Sequence, residues 1–553
     1  MKPRTVTPSP LDSSAQPQAP RALSLAVVSV FIVTLLMGLL LPIYTDEITW
    51  KAATARTFLD GNVNIWMFPQ CGASFAVAPP WFMLPARLID HWLYADLSEP
   101  GRLRLIGAGI LACWIALLVA ALPRPVGVSR WSLVSVGAGI LGLGVLPFIL
   151  MMNRPEQLMR LLISLFLVAP FIVKPARPRS LRALGGALLV ALLASILLAQ
   201  HPKSLYFMPV VVASAAYVVP GAVLRSTTIG ALGVLAWRTA VHWYSRLSCA
   251  ADPRVELFTN RKMLNPAGLL SSKAEDLAPY MENLSRSARY VTGTLFQHSY
   301  PVNWLVDARE ALPFEPAVNM LITSVWVGVG ALGAWTLARF AVEAIKTRKL
   351  PRQAVMAFSL FVPLVGCCLL ETHKAFYESS LVLPFLAVIL ALGRHPPRDP
   401  FWLWVGRAGA AAVLLVSLAS LAILWGTVLP NLGPWLARGY VPGQPLSISA
   451  FGAEDLRERV QLTARLCGLD PSRTADNLIV DDLTYTAVEN LRRPVFGLYA
   501  FPRTERDPLG MLAARSSPGV VASCDRLPTA VVRQSLRVGF LCCAAPPWNR
   551  VPK

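Results

Sequence analysis

Long apolar segments alternate with short polar loops along most of this chain. Eleven of these segments have about the length that a helix needs to cross a bilayer, which is roughly 20 apolar residues. They cover residues 22–43, 103–122, 131–151, 157–173, 183–200, 205–220, 227–243, 317–338, 354–371, 379–393 and 403–428. The segment 227–243 fits least well because it contains Arg238. The pattern predicts a polytopic α-helical membrane protein with about 11 transmembrane helices.

The two ends of the chain follow a different pattern. Residues 1–20 are rich in Pro, Ser and Gln and carry too little apolar surface to fold, so we expect a disordered cytoplasmic tail. No small-residue cleavage site follows the first apolar segment, which favours a retained helix over a removed signal peptide. In residues 430–553, short β-type runs alternate with polar helical runs such as Glu454–Leu466. We therefore predict a small C-terminal α/β domain at 430–553 and a transmembrane catalytic domain at 21–429.

Composition and charge agree with a membrane protein. Hydrophobic residues make up 55% of the 553 residues, charged residues make up 15%, and the net charge is +20. A basic chain can bind nucleic acid, but here Lys and Arg lie between apolar segments and not on a soluble domain with interleaved aromatic residues. The basic loops alternate with less basic ones, and basic loops are usually cytoplasmic. We predict a bacterial inner-membrane protein with a cytoplasmic N-terminus, periplasmic loops at 44–102 and 245–316, and a periplasmic C-terminal domain.

Two adjacent carboxylates, Asp46 and Glu47, stand where the first apolar segment leaves the bilayer. Ionisable groups at a membrane boundary are costly to place and often functional. They open an amphipathic stretch at 46–59, which predicts a helix lying on the membrane surface, with Gly61 placed to end it. A carboxylate there suits the general base that takes a proton from an acceptor hydroxyl. The alternative is that Asp46 only caps the helix.

A second compact group, Arg154, Pro155 and Glu156, begins a later helix on the same side of the membrane. Pro and Glu are typical of a first helical turn, so an ordinary helix start is one interpretation. The helix dipole disfavours a cation at that end, which leaves Arg154 unexplained. Arg154 and Glu156 either form an ion pair or place a cation and a carboxylate at a reacting centre.

Cations and aromatic residues collect in the other predicted external loops. Cations at a bilayer surface suit a lipid phosphate, although headgroup contacts and snorkelling are the alternative. The candidate phosphate-binding residues are Lys51, Arg154, His201, Lys203, His373 and Lys374. The candidates for an acceptor site or a lid are His298, Tyr300 and Tyr377, and a disordered loop at 245–316 is the alternative for the first two. The short cytoplasmic loops contain no Gly-rich phosphate cradle, so we expect a lipid-borne donor and no cofactor.

The C-terminal region adds cysteines and a pair of acidic residues. Cys467, Cys524 and the adjacent Cys542 and Cys543 fall on the predicted oxidising side, where either disulfides or free thiols are compatible with the sequence. Asp481 and Asp482 follow a predicted strand. They either cap a turn or bind an acceptor or a cation.

These features together resemble the GT-C glycosyltransferases. The acidic pair that opens the first external loop, the turn at 154–156 and the basic residues on later loops carry the resemblance over about residues 20–430. It implies inverting transfer of a sugar from a polyprenyl-phosphate donor to a periplasmic acceptor, which is a glycan, a lipid or a protein. Asp46 then matches the base, Glu47 its partner and Glu156 a second acid. The C-terminal domain resembles those of polyprenyl-phosphate pentosyltransferases, including arabinofuranosyltransferases.

Two further expectations concern metals and the rival function. The sequence has no evident metal-ligand spacing, so we expect a metal-independent reaction in which Lys and Arg stabilise the leaving phosphate. The rival class is a polytopic transporter or a flippase for lipid-linked sugars. Transporters place ionisable residues near the bilayer midplane and commonly have repeated halves, and the sequence pattern shows neither. We expect the donor lipid, the acceptor and membrane lipids as partners, and no nucleic acid.

Overall fold

The computed structural model describes most of the predicted helices and the C-terminal sheet. The described residues are 21–57, 80–123, 130–174, 176–247, 264, 268–269, 273–292, 312–372, 379–393, 400–442, 446–470, 478–488, 495–496, 507–514 and 519–548. The described helical elements in the first half of the chain include α1 (Arg21–Leu39), a π-helical turn (Glu47–Ala52), α2 (Ala53–Thr57), α3 (Leu84–Tyr94), α4 (Gly101–Ala121), α5 (Arg130–Leu141), α6 (Leu146–Met151), α7 (Pro155–Ile172), α8 (Leu181–Gln200), a 3-10 turn (Pro202–Phe207), α9 (Met208–Val218) and α10 (Ala222–Leu247). They are followed by α11 (Ala274–Thr292), α12 (Glu315–Thr347), α13 (Arg352–Leu370), α14 (Ser379–Leu392) and α15 (Pro400–Arg438).

Several of these helices are suited to a bilayer. Among the described residues, six helices are long and apolar enough to cross a membrane, namely α1, α4, α7, α8, α12 and α13. A seventh span results if the two parts of α15, which are bent by 43°, count as one. The chain is thus a multi-pass helical membrane protein. Each of the predicted segments coincides with a helix or a broken helix, but the count of about 11 spans stays a prediction.

Helix α7 is the most enclosed of the six spans, with 72% of its apolar window buried inside the protein. Its buried polar side chains have partners on neighbouring helices. Arg160 donates to the carbonyl oxygens of Leu150 (2.8 Å) and Ser380 (3.1 Å), and Gln157 donates to that of Gly107 at 2.7 Å. Because unpaired polar groups inside a membrane protein are costly, these bonds fix α7 in position. The N-terminus of α7 carries Arg154 and Glu156 into the candidate site.

The described residues after α15 form two small sheets and several helices. The described elements are β1 (Tyr440–Val441), β2 (Ser447–Ile448), α16 (Glu454–Leu466), β3 (Ile479–Val480), α17 (Asp482–Tyr485), β4 (Val495–Phe496), α18 (Pro508–Ala514), β5 (Val520–Ser523), α19 (Thr529–Arg533), β6 (Leu536–Val538) and β7 (Leu541–Ala544). The five-stranded sheet has the order β4-β3-β5-β7-β6, with β4, β3 and β5 parallel and the other pairs antiparallel. Disulfides join Cys467 to Cys543 and Cys524 to Cys542. Helix α15 continues to Arg438, past the predicted domain boundary at residue 430.

This C-terminal region packs directly on the segment that follows α1. The backbone N–H of Ile43 donates to the carbonyl of Ile448 at 2.9 Å. Ile48 and Ala52 lie in one hydrophobic cluster with Leu483 and other side chains of the C-terminal region. The prediction of a helix lying on the membrane surface is wrong for residues 47–57, because this segment is enclosed between α3 and the C-terminal region. Its first part also has π-helical rather than α-helical hydrogen bonding.

Candidate functional site

The adjacent carboxylates Asp46 and Glu47 have opposite surroundings. Glu47 is fully buried. One of its oxygens accepts from the backbone N–H of Tyr44 at 2.9 Å and the other from that of Asn153 at 2.8 Å. Arg104 also donates to this carboxylate at 2.7 Å. Its bonds tie the end of α1 to α4 and to the turn before α7, which is the arrangement of a structural carboxylate.

We call Glu47 and the groups that bond to it, namely Arg104 and the backbone N–H groups of Tyr44 and Asn153, the clamp. The sequence interpretation missed Arg104. It lies on α4, is buried, and also donates to the carbonyl oxygens of Leu41 and Pro42. A charged residue near the start of an apolar segment was the available signal, because such a residue needs a partner in the protein interior. The clamp holds the backbone at Thr45 and Asp46 beside the N-terminus of α7.

Asp46 points away from the clamp and into a polar cluster. Its side chain is 21% exposed and forms an ion pair with Arg154. The backbone of Arg154 is extended, with φ −105° and ψ 158°, and Pro155 occupies the first turn of α7. Since Pro fixes its own φ and disfavours a helical residue before it, this sequence starts α7 at Pro155. It leaves Arg154 outside the helix, within reach of Asp46.

The cluster continues through two more charged side chains to α13. Arg154 Nε lies 3.6 Å from the Glu156 carboxylate, and Lys203 Nζ lies 3.6 Å from the same carboxylate. Lys203 Nζ also lies 3.1 Å from Glu371, which follows the last residue of α13. The result is a row of alternating charge, which we call the charged row. It consists of Asp46, Arg154, Glu156, Lys203 and Glu371.

A small, mainly apolar pocket begins at the far end of the charged row. Lys203 and Glu371 supply its polar end. The remaining lining residues are Phe207, Ser287, Leu364, Cys367, Cys368, Leu381 and Val382. A cation therefore stands at the entrance of a largely apolar space. His201 lies next to Lys203 in sequence, and its Nδ1 accepts from the backbone N–H of Lys203 at 3.1 Å.

Lys51 belongs to a neighbouring buried cluster and not to the charged row. Its Nζ donates to Asp90 at 2.6 Å and to Gln200 at 2.8 Å. Burial lowers the pKa of Lys51 below its ordinary value, while the Asp90 carboxylate opposes that shift. Arg87 lies 3.7 Å from Asp90, and both residues line a small pocket with Lys51. Sequence interpretation missed Arg87 and Asp90, although their spacing of three on α3 places them on one helix face.

The adjacent Asp481 and Asp482 have different surroundings. Asp481 caps α17, since its carboxylate accepts from the backbone N–H of Thr484 at 2.7 Å. It also accepts from the backbone N–H and the hydroxyl of Ser523. Asp481 therefore has the capping function that was one of its two predicted alternatives.

The remaining predicted site residues lie outside the described residues. They are His298, Tyr300, His373, Lys374 and Tyr377. The structure thus brings together Asp46, Arg154, Glu156 and Lys203, directs Glu47 into the clamp, and places Lys51 beside Asp90. Within the described part of the chain, no group of three or more His, Cys, Asp or Glu side chains is arranged to hold a metal ion.

The fold and the site define a multi-pass membrane protein with a charged cluster next to an apolar cavity. No protein-family model matches the sequence, and no curated protein matches it. Two solved structures share some likeness over 90% of this chain. One is the Archaeoglobus fulgidus oligosaccharyltransferase AglB in complex with an inhibitory peptide and a dolichol-phosphate, at 12% identity, a TM-score of 0.39 and 69% coverage of that chain. The other is an oligosaccharyltransferase of the same organism in the apo form, at 10% identity, a TM-score of 0.39 and 70% coverage. At this level, the match assigns neither a family nor an activity.

Proposed function

We propose that this chain is an inverting glycosyltransferase of the GT-C type. It moves a sugar, arabinofuranose or another pentose, from a polyprenyl-phosphate donor to an acceptor hydroxyl in the periplasm. The observation that carries the proposal is the charged row, which begins at a partly exposed carboxylate and ends at an apolar cavity. A carboxylate suits a hydroxyl acceptor, and a cation beside an apolar space suits a lipid phosphate.

Asp46 is the general base in this proposal. It is the carboxylate of the row with the most exposed side chain, at 21%, against 1% for Glu156 and 12% for Glu371. Asp46 takes the proton of the acceptor hydroxyl as that oxygen attacks the anomeric carbon of the sugar. The ion pair with Arg154 fixes the orientation of the carboxylate and leaves its exposed edge for the acceptor.

Lys203 and Arg154 stabilise the leaving group. As the acceptor oxygen bonds to the anomeric carbon, the bond from that carbon to the phosphate oxygen breaks, and the phosphate leaves with the electron pair. The developing negative charge falls next to cations that the protein has already desolvated, where electrostatic stabilisation is strong. The first carbons of the prenyl chain contact the apolar side chains beside Lys203.

Glu156 has a positioning function in this mechanism. It is buried, and it lies between Arg154 and Lys203 at 3.6 Å from each. A carboxylate at this point keeps two like charges near each other before the phosphate binds. The reaction needs no cofactor and no metal ion in this proposal.

The proposal is tested with purified protein, a radiolabelled polyprenyl-phosphoryl arabinofuranose and a set of glycan, lipid and peptide acceptors, in buffer containing EDTA. We expect labelled product in the presence of EDTA and its loss in the Lys203→Ala variant. Lys349→Ala, which changes an exposed cation outside the row, is the matched control. If the protein moves the donor lipid across the membrane of proteoliposomes but transfers no sugar to any acceptor, the proposal is overturned in favour of a flippase.

A further inference from the structure

Asp482 is a buried carboxylate that the proposed mechanism does not use. It is 7% exposed and is the first residue of α17, which begins after β3 and the capping residue Asp481. The short helix is held rigidly, because the neighbouring Asp481 makes both bonds of a capping box with Thr484 and also accepts from Ser523. Asp482 itself contributes nothing to that cap. Asp481 therefore has the capping function and fixes the position of Asp482.

The segment that carries Asp482 lies against the segment that carries Asp46. Leu483 and Tyr485 share a hydrophobic cluster with Ile48. The guanidinium carbon of Arg56 lies 5.7 Å from the centre of the Tyr485 ring. Together with the backbone bond between Ile43 and Ile448, these contacts hold the C-terminal region on the first external segment. They bring a second carboxyl group to the same side of the molecule as Asp46.

One oxygen of Asp482 has no hydrogen-bond partner among the described residues, although it is fully buried. An unpaired buried polar group is unfavourable for folding, so its retention calls for an explanation. Three charged groups act on Asp482 electrostatically, namely Arg526, Asp481 and Asp46. Burial raises the pKa of Asp482 to about 7, and the negative charges of Asp481 and Asp46 add to the shift against the opposing effect of Arg526. Such perturbed groups are common at functional sites.

We propose that Asp482 is a second carboxyl group of the active site and binds the acceptor through a hydroxyl adjacent to the one that Asp46 deprotonates. Two carboxyl groups on segments that pack against each other fit an acceptor with two neighbouring hydroxyls. The acceptor class is therefore a saccharide and not the single hydroxyl of a serine or threonine side chain. The C-terminal region then supplies part of the site. This inference rests on the proposed glycosyltransferase function.

Equilibrium binding tests the inference without requiring turnover. Methyl arabinofuranoside is the probe, and the full-length protein in detergent micelles is titrated with it. We expect Asp482→Asn to weaken binding at least tenfold, and Asp455→Asn, which changes an exposed acid on α16, to leave it unchanged. Thermal unfolding of each variant shows whether it is folded. Binding by folded Asp482→Asn that equals wild-type binding, or no binding by the wild type, would overturn the inference.

Kinetics separate the inference from the proposed function. In transfer from radiolabelled polyprenyl-phosphoryl arabinofuranose, Asp482→Asn is expected to raise the KM for the methyl glycoside at least tenfold, with the KM for the donor within twofold of wild type. If the wild type transfers to a serine peptide and not to the glycoside, the saccharide acceptor is wrong while the glycosyltransferase function stands. If the glycoside binds at Asp482 but no donor is consumed, the glycosyltransferase function is wrong.

Discussion

Asp46 and Glu47 show how surroundings divide the functions of two chemically similar neighbours. Both are carboxylates at the same membrane boundary, and a general base was predicted for one and a partner for the other. Glu47 is buried and bonded to two backbone N–H groups and to Arg104, whereas Asp46 is partly exposed and paired with Arg154. A sequence pattern gives the residue types but not the direction of each side chain. We therefore propose a structural function for Glu47 and the general-base function for Asp46.

The first prediction concerns Glu47. Glu47→Ala is expected to lower the free energy of unfolding by about 3–5 kcal/mol, because it leaves the buried Arg104 charge without its carboxylate partner. Asp46→Ala should have a much smaller effect, since Asp46 is partly exposed. Thermal unfolding of both variants in the same detergent measures the difference. Equal melting temperatures for the two variants would contradict the assignment.

The second prediction follows from the pKa of Asp482, which burial raises to about 7 from an ordinary value of 3.8. Since the folded state favours the protonated form, the folded protein loses stability as the pH rises from about 4 to 7, by on the order of 4 kcal/mol at most. Asp482→Asn removes this ionisation. The measured quantity is the melting temperature of the variant minus that of wild type. We expect this difference to be more positive at pH 8 than at pH 5. A difference that does not change with pH would contradict the buried carboxyl group.

At the scale of elements, the site depends on the N-terminus of α7 and on the close packing of α4 against α7 and the turn before it. Gly107 of α4 lies against the backbone of Met151, so a Cβ atom built on Gly107 would overlap the Met151 carbonyl oxygen. The Gly107 carbonyl also accepts from Gln157 of α7. This contact sets the distance between α4 and the turn that leads to Arg154. A larger residue at position 107 must move that turn.

The third prediction uses a matched pair of glycines on α4. Gly107→Ala should lower the free energy of unfolding by about 1–3 kcal/mol and reduce transfer activity, since overpacking shifts the backbone. Gly109→Ala is the control, because a Cβ at Gly109 meets nothing within 4 Å. Melting temperatures and transfer rates of the two variants measure the effect. A Gly107→Ala variant as stable and active as Gly109→Ala would contradict the packing argument.

Periodicity predicted several elements closely and missed what depends on distant contacts. The segment 157–173 corresponds to α7 at Pro155–Ile172, and the predicted helix Glu454–Leu466 has those bounds in the structure. These elements follow from local signals, namely apolar runs, Pro at a helix start and helical spacing. The π-helical turn and its burial do not. They arise because the C-terminal region, which lies far along the chain at residues such as Ile448 and Leu483, covers that segment.

At the scale of the whole molecule, the C-terminal region packs on the segment that carries Asp46 and is not a separate appendage. Its sheet is fastened by the disulfides Cys467–Cys543 and Cys524–Cys542, which sequence alone left open against free thiols. Cys524 directly follows Ser523, the residue that holds Asp481 in place. The cross-link therefore supports the segment that presents Asp482.

The fourth prediction tests this support. Replacing Cys524 and Cys542 together by Ser should lower the free energy of unfolding by about 3 kcal/mol, the size expected for a closed loop of their 18-residue separation. The acceptor KM should rise more than the donor KM, because Asp482, the proposed acceptor-binding carboxyl group, lies in this region. Unfolding and transfer kinetics of the double variant measure both effects. An equal rise in the two KM values would contradict the proposed location of the acceptor.

The central claim is that Asp46 deprotonates the acceptor, and single-turnover transfer by the Asp46→Asn variant tests it most directly. We predict a rate constant lower by about 10²- to 10⁴-fold, the usual contribution of a general base, with donor binding retained. Asp96→Asn is the control, since Asp96 is an exposed acid paired with Arg102 outside the charged row. A rate constant for folded Asp46→Asn within twofold of those for wild type and Asp96→Asn would contradict the account.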